Sequence, residues 1–446
     1  MATRPMTRRQ FTSGAAKATL AAGAIPSIAH RLVAQNPDKI RLGVVGCGGR
    51  GTGAAMDAIV SAPNVELVAM ADLFPDRIEA ALKRVRAAQK GGTRDFAAQY
   101  GSLQIDWDRA DAVKVTPETC FSGFDAYKKI LETDADLIIF GEAPGFRPRH
   151  IRAAIEAGKH VFAEKPVAVD PAGARSVFES AELAKKKNLG FMGGTQLRFS
   201  QPYGAIIGRI HEGKIGDIVA AECYWWHDYF VRWKYQERRP EWSDMEFQVR
   251  CWPHFVWLSG DHIVENLVHN IDVMNWAMGG PPKSAVALGG HINWEDWPIK
   301  GNVYDHFFVE YEYPNGAKGY ASSRHIVNCA HRLGEKVMGT KGSADPFRQI
   351  TGENAFEYEG PFDNPRFIQG GKFIESIRKG SPMNCGAQVA EASMTAILGR
   401  MSAYTGRAIN YDWALHQSKL DLMPENIGFG ALPVQPLAIP GKAPLI

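Results

Sequence analysis

Residues 41–53 read RLGVVGCGGRGTG, a short apolar run that ends in a cluster of glycines. Gly46, Gly48 and Gly51 match the G-x-G-x-x-G spacing. Its glycines permit a tight turn, close approach of a pyrophosphate, and close packing of the next helix on the strand. A phosphate at this position meets free N–H groups and the positive end of the helix dipole. The stretch predicts a dinucleotide-binding turn, and a glycine-rich hairpin is the alternative that its surroundings must exclude.

The segments around this turn alternate between strand and helix patterns. Strands are predicted at 40–45, 65–71, 135–140 and 161–163, and helices at 51–61, 75–88, 124–131 and 147–157. Alternation of this kind is typical of a doubly wound parallel sheet. Residues 37–166 are therefore predicted to form an NAD(P)-binding Rossmann domain, with residues 89–118 as a polar loop or insertion.

The second predicted strand ends in Asp72, 26 residues after Gly46. An acidic residue near this offset accepts hydrogen bonds from the adenosine ribose. A 2′-phosphate would meet a like charge there, so the pattern favours NAD over NADP, and Arg77 nearby would soften that preference. An N-cap role for Asp72 is compatible with this interpretation. Within the turn, Gly49 and Arg50 are further cofactor-binding candidates.

Composition is that of an ordinary globular protein, with 446 residues, 45% hydrophobic and 22% charged residues, and a formal net charge of +3. No concentrated basic block is present, which argues against a nucleic-acid binder. The six cysteines are scattered without a C-x-x-C pair, so neither a metal site nor a disulfide framework is predicted. Cys47 lies in the glycine turn, where packing is the favoured role over a reactive thiol.

The first 36 residues have the order of an export signal. Paired arginines, Arg8 and Arg9, precede a short Ala/Gly-rich apolar segment and a small-residue cleavage pattern. This predicts a twin-arginine signal peptide, a partner in the twin-arginine export machinery and a periplasmic or otherwise exported protein. The apolar part is too short for a stable membrane span. A disordered basic tail is the alternative. An exported protein would need to hold its nicotinamide nucleotide tightly, because that nucleotide is made in the cytosol.

The pattern changes after Pro166, so residues 167–446 are predicted to form a second domain. Period-two alternation around Asn315-Gly316 predicts antiparallel strands and a hairpin. Long helices are predicted at 171–187 and 388–405. Residues 222–260 contain six of the eleven tryptophans, which suits either a carbohydrate cleft or a subunit interface. The expected architecture is an α+β domain built on a large, mostly antiparallel sheet.

Two stretches contain residue types suited to hydride transfer. Lys165 lies between Glu164 and Pro166 just after a predicted strand, where its side chain would project toward a nicotinamide. Residues 260–272 read as one helix, which would place Glu265 and His269 one turn apart on the same face. A histidine oriented by a carboxylate, beside a lysine that polarises an oxygen, supplies the base for a hydroxyl proton. For His269 taken alone, the alternative is a core histidine whose hydrogen bonds are all made within the protein.

With these motifs the chain resembles the glucose-fructose oxidoreductase and inositol dehydrogenase family, the Gfo/Idh/MocA family. The resemblance rests on the glycine turn, Glu164-Lys165-Pro166, the turn at 214–217 and the stretch at 269–272, and it extends from about residue 40 to about residue 412. It implies that Lys165 binds and polarises the substrate oxygen, that His269 is the general acid/base, and that the C-terminal sheet forms a homo-oligomer. Many members have aspartate where this chain has Glu265.

Substrate contacts are predicted at Gln196, Arg198, Asp272 and His306. The alternative for each of these residues is a purely structural role. The leading functional hypothesis is an exported NAD-dependent oxidoreductase that acts on a sugar, polyol or glycoside with tightly bound cofactor. The alternative is a glycosidase that oxidises C3 of the sugar transiently, so that elimination breaks the glycosidic bond. A non-catalytic NAD-binding protein is the third hypothesis, which the presence of both Lys165 and His269 disfavours.

Overall fold

The structure, a computed structural model, describes residues 39–89, 112–228, 237–292 and 301–446. The predicted export signal and most of the predicted 89–118 loop lie outside the described residues. In the described part of the chain, no helix combines the length and the apolar character that crossing a membrane requires.

Six parallel strands form the first sheet, and helices connect them as the alternating pattern predicts. The strands are β1 (Ile40–Val45), β2 (Val65–Asp72), β3 (Cys120–Ser122), β4 (Leu137–Phe140), β5 (His160–Ala163) and β6 (Phe191–Gly193). The helices are α1 (Gly49–Ser61), α2 (Pro75–Gln89), α3 (Ala126–Leu131), α4 (Arg147–Glu156) and α5 (Pro171–Lys186). The spatial order β3-β2-β1-β4-β5-β6 is that of a doubly wound dinucleotide-binding sheet. The predicted fold class of this half is confirmed.

This sheet continues beyond residue 166, where the sequence pattern changes. Strand β6 pairs with β5 in parallel, from Val161 opposite Phe191 to Ala163 opposite Gly193. Both faces of the sheet are covered, because Leu42 and Val44 are fully buried against one set of helices and Ile138 against the other. Near-continuous burial explains why these strands read as unbroken apolar runs.

Among the described residues, nine strands form the second sheet, in the order β14-β13-β12-β11-β7-β10-β9-β8-β15. They are β7 (Ile218–Trp226), β8 (Ser284–Gly290), β9 (His306–Glu312), β10 (Lys318–Arg324), β11 (Arg332–Gly339), β12 (Gly342–Asp345), β13 (Gln349–Gly352), β14 (Phe356–Glu357) and β15 (Ile409–Asn410). Strands β9 and β10 form the hairpin predicted around Asn315-Gly316. Strand β7 pairs with β10 in parallel and with β11 antiparallel, so the sheet is mixed and mostly antiparallel, as predicted.

In the described part of the chain, helices pack against one face of this second sheet. The helices after α5 are α6 (Gln201–His211), α7 (Asp244–Arg250), α8 (Val256–Ser259), α9 (His262–Glu265), α10 (Val268–Met278), α11 (Pro365–Arg378), α12 (Gly386–Thr405) and α13 (Tyr411–His416). Of these, α6, α10 and α12 contribute most of the helical residues in the core shared with the second sheet, whereas α11 packs on α1. Side chains alternate along β7, so Ala221 and Cys223 are buried in that core. On the opposite face, Val286, Leu288 and Phe308 are exposed.

The single helix predicted for residues 260–272 is wrong. Helix α9 ends at Glu265 and α10 begins at Val268. Across the break, the N–H groups of His269 and Asn270 donate to carbonyls three residues earlier, those of Asn266 and Leu267. The helix is interrupted between Glu265 and Val268, so Glu265 and His269 do not lie one turn apart on one continuous helix.

Candidate functional site

The glycine turn after β1 has the geometry that its spacing predicts. Gly46 has φ +86°, and a Cβ added there would lie 2.2 Å from the backbone N of Glu142. A Cβ at Gly51 would lie 2.0 Å from the carbonyl oxygen of Gly46. A Cβ at Gly48 or Gly49 would meet no atom within 4 Å. Two glycines therefore close the turn, and two leave open space at the N-terminus of α1, where a pyrophosphate would bind.

Asp72 closes the turn from the side of β2. Its two carboxylate oxygens accept hydrogen bonds from the backbone N–H groups of Cys47 at 2.7 Å and Phe74 at 2.9 Å. Burial raises the pKa of Asp72, and these two hydrogen bonds oppose that rise. Burial also raises the pKa of the Cys47 thiol well above its usual value, so this cysteine has the character of a packing residue.

A cavity of about 460 Å³ extends along the ends of β2, β1 and β4. Its lining includes Gly46, Gly48, Asp72, Phe74, Gly141 and Glu142. Residues from the second domain, Val249, Arg250 and Trp252, and Ile427 of the C-terminal tail close the opposite wall. Ligands of doubly wound sheets bind at the carboxyl ends of strands where the strand order reverses. The open glycines and the cavity beside Asp72 fit a dinucleotide.

Arg50 does not point freely into the turn. Its guanidinium donates to Glu164 Oε1 at 2.6 Å and to Asp57 Oδ2 at 2.9 Å. Burial opposes ionisation of Glu164, but Arg50 outweighs it and the pKa of Glu164 is lowered. Arg50 and Glu164 thus tie the glycine turn to the end of β5, immediately before Lys165.

Lys165 connects the first sheet to the second domain. Its Nζ donates to the backbone oxygen of Glu265 at 2.6 Å and to Glu265 Oε1 at 3.0 Å. Both side chains are only 11% exposed. The other carboxylate oxygen, Glu265 Oε2, is buried with no hydrogen-bond partner among the described residues. Glu265 is therefore the counter-charge of Lys165 and does not orient His269.

His269, on the first turn of α10, stacks on Trp225 with ring centroids 6.2 Å apart. Its Nδ1 is buried and has no hydrogen-bond partner within the described part of the chain. Burial lowers the pKa of His269 well below its usual value, and the cations Lys165, Arg366 and Arg50 lower it further. The imidazole is neutral at pH 7 and can accept a proton.

His269 borders a second cavity, of about 950 Å³, in the C-terminal domain. Its lining includes Gln196, Tyr203, Trp225, Asn270, Glu335 and Arg366. A cavity of this volume is the usual size for a small-molecule site. Trp225 lines this cavity and Trp252 the first one, whereas Trp233 lies outside the described residues.

The four residues predicted to bind substrate occupy different surroundings. Gln196 lines the second cavity. Asp272 is buried, and its carboxylate accepts from the Arg198 guanidinium at 2.9–3.1 Å and from Gln388 Nε2 at 2.6 Å. His306 Nδ1 lies 2.6 Å from Asp305 Oδ1 at the start of β9, outside the described lining of the cavity. Arg198 and Asp272 thus form a partly buried ion pair.

Sequence reasoning missed Glu335, which lies on β11 and lines the second cavity. Its carboxylate accepts from Asn270 Nδ2 at 2.5 Å and from the Tyr203 hydroxyl at 3.0 Å. Burial raises the pKa of Glu335 to about 7. The detectable signal was an acidic residue at an inward position of the alternating strand 332–339.

One group of described residues has metal-ligand types close together: His227, Asp228 and His331. Asp228 Oδ1 lies 3.4 Å from His227 Nδ1 and 3.3 Å from His331 Nε2. The same distances describe imidazole–carboxylate pairs at the surface, so the group does not alter the sequence expectation of no metal, which stays a prediction.

The doubly wound sheet, the glycine turn, and a lysine and a histidine at the domain junction define the class of two-domain proteins with a nucleotide-binding Rossmann fold. Two family models match the chain: "Oxidoreductase family, NAD-binding Rossmann fold" over residues 40–192, and "GFO/IDH/MocA C-terminal domain" over residues 205–345. The chain belongs to the Gfo/Idh/MocA family. Its cofactor is NAD, as the Asp72 pattern predicts.

Curated relatives are distant. An uncharacterized oxidoreductase of Streptococcus pneumoniae is 26% identical over 246 residues, which is 54% of this chain and 60% of that protein. A glycosyl hydrolase family 109 protein of Streptomyces coelicolor is 24% identical over 42% of this chain and 34% of its own length. The NAD-dependent scyllo-inositol 2-dehydrogenase of Bacillus subtilis is 22% identical over 68% of this chain and 73% of its own length. The chain thus spans about three fifths of the first relative and a third of the second.

Among solved structures, scyllo-inositol dehydrogenase from Lactobacillus casei superposes with a TM-score of 0.59 at 18% identity. The match covers 84% of this chain and 98% of that one. At this identity the similarity establishes the fold alone, and it confirms the predicted pairing of a Rossmann domain with a large C-terminal sheet.

Proposed function

We propose that this protein is an NAD-dependent oxidoreductase that oxidises or reduces a secondary hydroxyl of a sugar, polyol or glycoside. The observation that carries the proposal is the meeting of two groups at the domain junction. Lys165 follows strand β5 of the cofactor-binding domain, and the neutral His269 faces the second cavity. The relatives named as inositol dehydrogenases favour a polyhydroxylated ring as the substrate class.

Each residue has a separate task in this reaction. Lys165 donates a hydrogen bond to the substrate oxygen and stabilises negative charge there. His269 accepts the hydroxyl proton as the carbonyl forms. The glycine turn and Asp72 would hold NAD, which would supply the hydride acceptor when bound. Glu265 holds the Lys165 side chain in place, since it is the ion-pair partner of that lysine.

The second candidate is the NAD-dependent glycosidase, which the similarity to two glycosyl hydrolase family 109 proteins favours. In that reaction oxidation at C3 acidifies the C2 proton, elimination releases the aglycone, water adds to the double bond, and the hydride returns to C3. No net redox change occurs. A cofactor that is never released suits this cycle.

The walls of the cofactor cavity support tight retention of NAD. Arg250 stacks on Phe74 at 3.8 Å and pairs with Asp76 at 3.2 Å, which joins the second domain to the cavity rim. In the tail, Phe429 packs on Phe124 with ring centroids 5.0 Å apart. Both the proposed retention and the proposed export through the twin-arginine route predict that purified protein contains nucleotide.

The experiment is mass spectrometry of what the purified protein releases on denaturation, followed by a panel of inositols, sugars and aryl glycosides. NADH formation and release of the aglycone are scored separately. An oxidoreductase accumulates NADH, whereas the glycosidase releases aglycone without NADH and incorporates solvent deuterium at C2. Absence of nucleotide and of NAD affinity would contradict both reactions.

We also propose that two copies of the chain associate through the face of the second sheet that none of the described helices covers. Val286, Leu288 and Phe308 are 56%, 63% and 43% exposed on that face, an apolar surface that isolated proteins seldom leave in water. Light scattering should give a multiple of 49.1 kDa for the unprocessed chain, and Leu288→Glu should shift the distribution to the single chain. A wild-type monomer would refute the proposal.

A further inference from the structure

Another carboxylate, Glu142, lies in the cofactor cavity beside the glycine turn. It follows β4 by two residues, and its backbone N is the atom that a Cβ at Gly46 would strike. Its side chain is only 11% exposed. Unlike Asp72, it falls in no motif that the sequence pattern assigns to cofactor binding.

The Glu142 carboxylate is only half satisfied. Oε1 lies 3.1 Å from His150 Nδ1, whereas Oε2 is buried and has no hydrogen-bond partner among the described residues. His150 is fixed by stacking on Tyr127 at 4.0 Å and Phe146 at 6.0 Å between ring centroids. An unpaired buried carboxylate oxygen is costly. A hydrogen-bond donor on a bound molecule that reaches this oxygen would satisfy it.

The cavity limits which part of a dinucleotide supplies that donor. Phosphate oxygens accept hydrogen bonds and carry negative charge, so they cannot satisfy a carboxylate. The donors of NAD are its ribose hydroxyls, the adenine amino group and the nicotinamide carboxamide. The donor must come from one of these groups.

Strand order distinguishes among these donors. The spatial strand order β2-β1-β4-β5 places Asp72 on one side of the glycine turn and Glu142 on the other, toward Lys165. With the pyrophosphate on the turn, the adenosine ribose lies by Asp72. The second ribose then lies by Glu142, between the pyrophosphate and the ring that reacts near Lys165.

We propose that Glu142 Oε2 accepts hydrogen bonds from the hydroxyl groups of the nicotinamide-side ribose, and that His150 is the positioning residue for that carboxylate. This rests on NAD as the cofactor and is independent of which sugar or polyol reacts. Asp72 and Glu142 thus bind the two riboses of one molecule from opposite sides of the turn.

The test is calorimetric titration of charcoal-stripped protein with three probes: NAD+, ADP-ribose and ADP. ADP-ribose retains the second ribose without the nicotinamide, and ADP lacks both. Glu142→Leu should weaken NAD+ and ADP-ribose by about 10- to 100-fold, the range for a hydrogen bond to a charged group, and change ADP by no more than about twofold. His150→Phe should show the same selectivity with a smaller loss.

If the melting temperature shows that the leucine variant folds poorly, Glu142→Gln replaces it in the titrations. It should also weaken binding of NAD+ and ADP-ribose more than binding of ADP. Glu156→Gln is the matched control, because it removes the same charge as Glu142→Gln. Glu156 lies on the same helix as His150, and its side chain is 54% exposed. Equal losses for all three probes, a loss for NAD+ alone, or no loss would each overturn the ribose assignment. If the wild-type protein bound none of the probes, the assignment of NAD as the cofactor would instead be refuted.

Discussion

The cofactor cavity and the second cavity are built in different ways. The first is shaped by backbone: strand ends, the positive φ of Gly46, and glycines where a Cβ would collide. The second is shaped by side chains from distant parts of the chain, such as Gln196, His269 and Glu335. Backbone geometry suits a cofactor common to many reactions, whereas side chains define one substrate. The difference predicts separate consequences for mutations in each cavity.

The largest effect is expected at the junction between the cavities. Lys165→Ala should slow hydride transfer by about 10³- to 10⁴-fold, since polarisation of the substrate oxygen is lost. Bound NAD should remain, because the glycine turn is intact. Single-turnover NADH absorbance measures the first, and nucleotide content of the purified variant measures the second. Loss of nucleotide together with activity would place Lys165 in the cofactor cavity alone.

The backbone character of the cofactor cavity is tested at Gly51. A methyl group there lies 2.0 Å from the carbonyl oxygen of Gly46, so Gly51→Ala should lower the unfolding free energy by about 3 kcal/mol and NAD affinity by about 100-fold. Gly204→Ala is the control, because a Cβ there meets open space on helix α6. Denaturant unfolding and calorimetry give both quantities. An unaffected Gly51→Ala would refute the close-packed turn.

The side-chain character of the second cavity is tested by the pH dependence of stability. Burial raises the pKa of Glu335 from 4.5 to about 7. The folded protein therefore retains a proton that the unfolded chain releases. This contribution is fully present below pH 4.5 and is lost as the pH rises to about 7, with a total of roughly 3 kcal/mol.

Glu335→Gln should remove this component and flatten the stability profile between pH 4.5 and 7. Denaturant unfolding across that range measures it. Asp261 and Glu391, whose pKa values are also raised by burial, titrate in both proteins and cancel in the comparison. The exposed Glu359→Gln is the matched control. Parallel profiles for wild type and Glu335→Gln would contradict the prediction.

The smallest effect is expected where the tail covers the cofactor cavity. Phe429→Ala removes the ring contacts with Phe124 and Phe74, so NAD release should accelerate by about 2- to 10-fold. Ile439→Ala, which is similarly exposed on the same tail, should leave release unchanged. A fluorescence chase with excess ADP-ribose measures both rates. Equal rates of NAD release from wild type and Phe429→Ala would show that the tail has no part in cofactor retention.

The elements predicted correctly are those that local pattern defines. The turn at Gly46 and the hairpin at Asn315-Gly316 depend on neighbouring residues, as does the apolar run of each buried strand. The break between α9 and α10 was missed, because the polar and apolar spacing of residues 260–272 also fits one continuous helix. The contacts to the Asn266 and Leu267 carbonyls mark this break in the folded chain.

The sequence by itself determined that a dinucleotide turn exists, that Asp72 lies beside it and that Lys165 follows a strand of the same sheet. Tertiary structure decided the partners: Lys165 with Glu265, 100 residues apart, and Asn270 with Glu335, 65 residues apart. A backbone site is encoded over a short stretch, since glycine spacing sets its geometry. A side-chain site depends on how two sheets and their helices pack, and no local pattern contains that information.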